Sequence, residues 1–515
     1  MKRVLIIGAG FGGLSTAAEL SQEGFDVTVL EAHTYPGGSA GTFFHKGYRF
    51  DAGATLAGGF AQGGIMEDIG RRFGIDWEAR ATLKAMQVHL PDDITVTRWK
   101  DNELWWEERL KRFGPQGEAF WHWQEDTADA LWAFARRLPP WPPQTLGDVA
   151  NLISTGIDWY QDGGKPKSWD KLLNLSLDAF LQVSARIPPA PDSLRSFLDA
   201  QLLISAQTTS EFANALYGAA ALDLARQGVA HIPGGIGSMA EKLVRGVTRN
   251  GGQVHFRQQV TKVREVKSGS FHVETKRGNK FHADEIVFNL PPWNILPLLD
   301  GAVPSRLKRI SSHPRDGWGA FVAYLGLEGS GLDEELALHH QVIRSDSLGE
   351  GNSIFMSLSP SWDESRAPEG KRALTISTHT AFEPWWQLYE RDEAAYKARK
   401  SVYLERILAG ARRVLPDLDG RIELVLPGTP VTFQRFTRRA RGWVGGFPQT
   451  NLFRSWGRRL APGMWIVGDT IFPGQSVPAV MMGGLRVSRG IIECLTTVKK
   501  GVGHNRKQQA KLITL

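Results

Sequence analysis

The chain has 515 residues, 42% apolar and 22% charged, which suits a large folded core and excludes a disordered or fibrous protein. Its net charge of +7 fits an anionic membrane surface and equally an ordinary basic enzyme, and no compact Lys/Arg-rich motif argues for nucleic acid. A single cysteine, Cys494, excludes an intrachain disulfide framework and a multi-cysteine metal site, with a buried thiol as its default state.

In chain order, residues 4–7 are an apolar run that predicts a buried parallel strand. Gly8, Gly10 and Gly13 follow as G-x-G-x-x-G and open a helix whose apolar positions Leu14, Ala17, Ala18 and Leu20 recur at helical spacing. Gly24 ends that helix, residues 27–30 make a second strand, and Glu31 closes it. Gly8 allows the tight turn, Gly10 lets a pyrophosphate approach the backbone, and Gly13 lets helix and strand pack closely. The helix N-terminus offers unpaired N–H groups to phosphates, and Glu31 can accept from both hydroxyls of an adenosine ribose. The opening MKRVLIIG is interrupted at once by glycine, so it reads as the first strand and not as a signal peptide. No apolar run reaches the roughly 18 residues of a membrane span. The expectation is a cytoplasmic protein without a membrane anchor.

Gly37-Gly38 follows Glu31 after five residues. With it, the stretch resembles position by position the long N-terminal signature of the glutathione-reductase-type FAD proteins: amine oxidases, protoporphyrinogen oxidase, and carotenoid desaturases and isomerases. The resemblance implies FAD in place of NAD. It also implies an α/β fold in which an FAD-binding Rossmann-like domain is interleaved with a mixed sheet-plus-helix substrate domain. Cofactor contacts are then expected at Gly8, Gly10, Phe11, Gly12, Gly13, Glu31, Ala32, Gly37, Gly38 and Ser39. The next phrase, G-G-S-x-G and then G-Y-x-F-D-x-G-A-T over residues 37–55, resembles the carotenoid desaturase and isomerase branch. Ser39 stands where phytoene desaturases usually carry Arg. The wording around Ala54-Thr55, Ala57-Gly58 and Gly63-Gly64 looks most like the C-3',4' desaturases.

From about Leu83 the texture becomes helical. Phe120, Trp123, Thr127, Leu131, Phe134 and Leu138 form one helix face, read as core, with a lipid-substrate tunnel or membrane contact as the minority reading. The prolines around Trp141 end that helix, and further helices are expected over 171–182, 193–204 and 211–225. The 18 tryptophans, clustered at Trp105-Trp106, Trp121, Trp123, Trp132, Trp141 and Trp385-Trp386, are places where substrate or membrane contact could hide. A glycine turn and helix over 237–249 return to the cofactor domain, followed by strands at 254–256, 259–263, 271–275 and 280–289. The resemblance places the backbone of Val260 against the adenine. Residues 320–325, 353–358 and 374–378 predict strands of a substrate-domain sheet, with a helix near 392–413. His339-His340 and His379 have no spaced carboxylate or cysteine partner and read as solvated or hydrogen-bonded histidines, with no metal site.

At the C-terminal end, Arg441-Gly442-Trp443 precedes Trp465-Ile466-Val467-Gly468-Asp469, then Phe472-Pro473-Gly474-Gln475-Ser476-Val477-Pro478 and a helix to about Leu495. A strand ending in Gly468-Asp469 brings a carboxylate beside pyrophosphate and ribityl hydroxyls, and a helix starting at Val477 or Pro478 aims its positive end at the flavin ring. The phrase resembles the carotenoid desaturase/isomerase C-terminal signature. The basic stretch after Lys499 reads as a disordered tail, with membrane attraction as the alternative.

The expected organisation is FAD-binding segments at 1–80, 231–295 and 431–498, a helical substrate or membrane-facing region at 81–230, a substrate-domain sheet at 296–430, and a basic tail at 499–515. The resemblance implies a carotenoid desaturase that holds an apolar polyene, sits peripherally at the inner face of the cell membrane, and passes electrons to a quinone or oxygen. The 3',4' bond of a hydroxylated or monocyclic carotenoid is the favoured position. No general base is assigned, because the polyene itself delocalises developing charge; Asp51, Asp469 and Arg441 read as structural or cofactor-binding. A carotenoid cis-trans isomerase using reduced FAD, a phytoene desaturase, an amine oxidase and a non-catalytic prenyl-protein escort remain as alternatives.

Overall fold

The computed structural model describes residues 2–161, 169–189, 191–266, 269–310, 314 and 316–512. Its first strand, Arg3–Ile7, buries its last four residues, because it lies inside a parallel sheet covered on both faces. It pairs in parallel with Asp26–Leu30 on one side and Glu285–Phe288 on the other. Gln253–His255 and Met464–Ile466 extend the parallel order outward, and Arg459–Ala461 closes one edge antiparallel. The beginning, middle and end of the chain therefore meet in one six-stranded sheet. The fold is α/β.

The glycine-rich helix, Phe11–Gln22, is buried at every position from Phe11 to Ser21, well beyond the one apolar face its spacing predicts. It packs against the sheet side, the helix Gly237–Arg249 and the last helix, Val477–Leu512. Close approach makes this possible: Ser15 Oγ donates to the Met481 carbonyl and Thr16 Oγ1 to the Gly484 carbonyl, at 3.2 and 3.1 Å. Glu19, charged in the middle of this layer, is satisfied by the Arg72 guanidinium.

A second sheet of seven strands runs in the order Ile422–Gly428, Gly319–Glu328, Lys371–Thr380, Ser353–Leu358, His339–Ile343, Lys84–His89, Thr95–Trp99. Its pairings are antiparallel except that of His339–Ile343 with Lys84–His89. The last two strands correct the expectation of helix from Leu83 onward. KAMQVH buries Ala85, Met86 and Val88 against the neighbouring core, so sheet extension prevails over helical texture there.

The expected strand over 280–289 is also two. Lys280–Ala283 pairs with Phe271–Thr275 in a three-stranded sheet, and Glu285–Phe288 leaves for the parallel sheet. Asp284 sits at the break and accepts from the Arg3 backbone N–H and guanidinium at 2.9 and 3.0 Å.

The helical region contributes Asn102–Phe113, Glu118–Arg136, Leu146–Tyr160, Trp169–Asp178, Asp192–Ala206 and Ala215–Leu222. Helix Glu118–Arg136 buries Phe120, Trp121, Gln124, Thr127, Ala128, Trp132 and Ala135, a face turned by about one residue from the expected stripe. Trp121 and Trp132 supply the bulk that decides this orientation, and Leu138 falls outside the helix. Of the tryptophans read as places for contact, Trp105, Trp121 and Trp385 are enclosed core, while Trp132 and Trp386, also buried, line cavities. The last helix continues as backbone to Leu512, where a disordered tail was expected; residues 513–515 lie outside the described residues. Cys494 on that helix is half-buried, not fully enclosed. No helix among the described residues is long and apolar enough to cross a membrane.

Candidate functional site

A cavity of about 1000 Å³ runs from the ends of the parallel strands to the inner face of the seven-stranded sheet. Twelve of the fifteen residues singled out from the sequence line it: Gly8, Gly10, Phe11, Glu31, Ala32, Gly37, Gly38, Ser39, Val260, Gly468, Asp469 and Val477. Gly12, Gly13 and Pro478 do not. A side chain on Gly12 would meet Val467 and Val480, one on Gly13 would strike the Gly8 carbonyl, and Pro478 packs beside Gly59. These three shape the walls from behind.

The glycine turn is a cradle that side chains would fill. Gly8 has φ +103°, and a Cβ on Gly10 would lie 2.6 Å from Asn289 Nδ2. Asn289, on the loop after Glu285–Phe288, donates to the Gly8 carbonyl at 3.2 Å and so holds the turn open from the neighbouring strand. Gly10 bridges to Gly37, which has φ +107° and donates to the Ala9 carbonyl at 2.8 Å. The helix starting at Phe11 has no side-chain cap and no acid in its first turn, leaving its N–H groups for an anion. One carboxylate oxygen of Glu31 accepts from Ala9 N and the other from His33 N, both at 2.7 Å. That fixes the carboxylate at the end of the second strand while burial pushes its pKa up.

On the opposite wall, Arg439 places Nη1 2.8 Å from Asp469 Oδ2 and donates to the carbonyls of Trp443 and Gly445 at 3.0 and 2.7 Å. Asp51 lies apart from the cavity. It is buried, paired with Arg366 at 3.0 Å, and accepts from Ile236 N at 2.9 Å, so it braces the entry of the Gly237–Arg249 helix. Arg441 pairs with Glu390 at 3.3 Å and lies over the Trp386 ring, outside the cavity.

The sheet-side wall carries apolar Ala320, Val322, Ile354 and Phe355 from the strands, Leu203 and Ile204 from helix Asp192–Ala206, and Leu224 from the turn after Ala215–Leu222. Polar groups stand within it as well: Gln341, Ser353, Ser377 and Thr378 on the strands and, beside Trp318, Gln207 and His379. Gln207 is buried at φ +58° and its Oε1 has no hydrogen-bond partner among the described residues. His379 lines the same wall, and burial pushes its pKa down to about 4, so it is neutral at physiological pH. Both touch Trp318: its Nε1 donates to the Gln207 carbonyl at 3.2 Å, and its ring meets His379 edge-on. His339 and His340 lie on a buried strand, with Ser357 at 2.9 Å from His339 and His89 at 3.1 Å from His340. Among the described residues no three His, Cys, Asp or Glu side chains are grouped to hold a metal.

A model of the flavin-containing amine oxidoreductase family matches residues 165–492, and an NAD(P)-binding Rossmann-like model matches residues 6–73. The chain belongs to the flavin-containing amine oxidoreductase family. Among the curated relatives of this family member, a chloroplastic prolycopene isomerase from Daucus carota is 25% identical over 496 residues, covering 93% of this chain and 78% of the relative. A phytoene desaturase (neurosporene-forming) from Cereibacter sphaeroides is 24% identical, covering 93% and 92%. A carotenoid 3,4-desaturase from Haloarcula japonica is 25% identical, covering 95% and 98%. Of solved structures, a double mutant of putrescine oxidase has TM-score 0.63 at 14% identity, covering 96% of this chain and 99% of that one. An oxidoreductase from Methanosarcina mazei has TM-score 0.59 at 16%, covering 95% and 100%. These last likenesses concern the fold.

This flavin-family chain is an FAD-dependent oxidoreductase, and its residues fit the cofactor on their own chemistry. The glycine cradle accepts a pyrophosphate only because Gly10 lacks a Cβ, the uncapped helix supplies N–H donors, and Glu31 supplies the acceptor a ribose needs. Asn289 and Arg439 were not singled out from the sequence. An asparagine directly after a buried strand and an arginine about 30 residues before the Gly468-Asp469 turn are weak signals, and each gains its position only when the chain's distant parts meet.

Proposed function

We propose that this protein modifies carotenoids, introducing a C=C bond into a long polyene by removal of two hydrogens. The observation that carries the reading is one cavity of about 1000 Å³ in which the glycine cradle is continuous with the apolar residues Ala320, Val322, Ile354 and Phe355 of the second sheet. The carotenoid enzymes among its relatives support the same substrate class. We favour the 3',4' bond of a hydroxylated or monocyclic carotenoid, with a quinone or oxygen as the final electron acceptor and a peripheral position on the membrane that dissolves the substrate.

When bound, FAD supplies a two-electron acceptor beside the substrate carbons. The cofactor would be held by Gly8, Gly10, Phe11, Glu31, Ala32, Gly37, Gly38, Ser39, Val260, Gly468, Asp469 and Val477, with Gly12, Gly13 and Pro478 shaping the walls behind them. Ala320, Val322, Ile354 and Phe355 exclude water and present the polyene with a flat apolar surface. His379 stands within that wall as a neutral imidazole, because burial disfavours its cation. Trp318 holds it from the side.

The 25% identity to prolycopene isomerases over nearly the whole chain favours a second reading, cis-trans isomerisation with reduced FAD. One experiment separates them. FAD-loaded protein is incubated anaerobically with γ-carotene or its 1'-hydroxy derivative, and product mass is followed with the flavin spectrum. Flavin bleaching with a product two hydrogens lighter supports the desaturase. Unchanged mass with altered geometry, seen only after pre-reduction, replaces it with the isomerase.

A further inference from the structure

Helix Leu146–Tyr160 has no buried residue, yet Leu146, Val149, Ile153 and Ile157 recur along it. At 100° per residue these four fall within one narrow stripe. Leu146 is 89% exposed, Ile153 60% and Ile157 50%. The helix touches the body of the protein from another side: Trp159 Nε1 donates to the Ala130 carbonyl at 3.0 Å, and Asp148 is paired with Arg458 at 3.0 Å. The following helix, Trp169–Asp178, repeats the pattern with Leu173 60% and Leu177 50% exposed, and Phe180 beyond it is 78% exposed. A water-facing helix gains nothing from such a stripe; an amphipathic helix lying in a lipid interface does.

Two further features say what covers this face. Arg458, which holds Asp148, also pairs with Glu493 on the last helix at 3.3 Å. From there the last helix continues as backbone to Leu512, and residues 496–515 carry five Lys or Arg and no acid. A strongly basic sequence thus follows a residue that Arg458 ties to the first turn of the striped helix, and basic charge joined to an apolar stripe is the pairing that an anionic bilayer surface attracts. Helix Glu118–Arg136, to which Trp159 is bonded, lines with Ala215–Leu222 a side chamber of about 60 Å³. It shares Ser205, Leu224, Gln475 and Ser476 with the main cavity, and its wall residue Leu452 precedes Phe453, itself 59% exposed.

We propose that the exposed face of helices Leu146–Tyr160 and Trp169–Asp178 docks on an anionic bilayer, with the side chamber as the passage from lipid to the main cavity. The passage rests on the carotenoid reading above; the docking face does not. The stripe anchors by apolar insertion, the basic segment by charge, and an apolar substrate then never crosses water.

The test is sedimentation of FAD-loaded protein with vesicles of phosphatidylcholine containing about one-third phosphatidylglycerol. Wild type should pellet with these vesicles and release as salt is raised. Ile153→Glu/Ile157→Glu should partition about a hundredfold less while keeping its flavin and its thermal midpoint. Truncation after Leu495 should weaken binding and remove its salt dependence. A charge variant that still pellets like wild type overturns the proposal. So does a wild type that stays in the supernatant, or one that self-associates through this face and loses that association in the variant. Turnover in detergent micelles keeps the two readings apart: conversion of carotenoid without vesicle binding removes the docking face alone, and vesicle binding without conversion removes the carotenoid reading and the passage alone.

Discussion

Arg439 Nη1 stands 2.8 Å from Asp469 Oδ2, and the same guanidinium donates to two carbonyls of the segment that leads to Asp469. The arginine thereby ties the loop over residues 439–445 to the cavity wall. Replacing it with methionine should weaken FAD binding about tenfold or more, read by fluorescence titration of the flavin-free protein. Lysine should restore only part of this, because one ammonium cannot reach both carbonyls and the carboxylate as a planar fork does.

Gly10→Val places branched carbon where Asn289 Nδ2 would lie 2.6 Å from the first added atom. The asparagine and the pyrophosphate compete for that space. The purified variant should emerge without flavin, checked by its absorbance after gel filtration; retention of full flavin would sink the assignment of the cradle.

Arg366→Ala leaves the buried Asp51 carboxylate without its ion partner, though Thr42 and Ile236 N still donate to it. A loss of about 3–5 kcal/mol of stability is expected. Arg366→Ala together with Asp51→Asn should recover part of it, since the uncompensated charge is gone. Urea denaturation of the flavin-free forms measures both.

Burial pushes the pKa of His339 and His340 down to about 3 and that of His89 down to about 4, against about 6.5 in an unfolded chain. Between those values the unfolded state binds more protons than the folded one, so stability rises with pH across that window. The thermal midpoint should therefore fall as pH is lowered from about 6.5 towards 4. His340→Gln, which keeps a donor for the Ala337 carbonyl, should flatten that fall. Asp363, held at about 2 by hydrogen bonds from His231, Ser365 and Gly234 against its burial, loses its contribution only below the unfolded carboxylate range. The two effects separate on the pH axis.

Local chemistry was readable where the function of a residue depends on its neighbours in the chain. The run from Val4 to Gly38 contains strand, glycine turn, helix, second strand and acid in order, and the structure brings its lining residues into one cavity. The same holds for the Gly468-Asp469 turn before the last helix. Backbone conformation and close approach are properties of a few adjacent residues, so sequence by itself determined them and, with them, the fold class and a dinucleotide cradle; FAD as its occupant came from the family resemblance.

What joins distant segments was decided only by tertiary structure. Whether residues 84–99 are helix or sheet depended on an open edge at His339–Ile343, far away in sequence. The buried face of Glu118–Arg136 depended on which side Trp121 and Trp132 could fill. Asn289 became part of the cradle because its strand pairs with the first, and Arg439 because its loop lies over Asp469. Asp51 could be read as cofactor-binding until Arg366 enclosed it. Packing, pairing and charge satisfaction are sums over the whole molecule, and a local pattern records only one side of each.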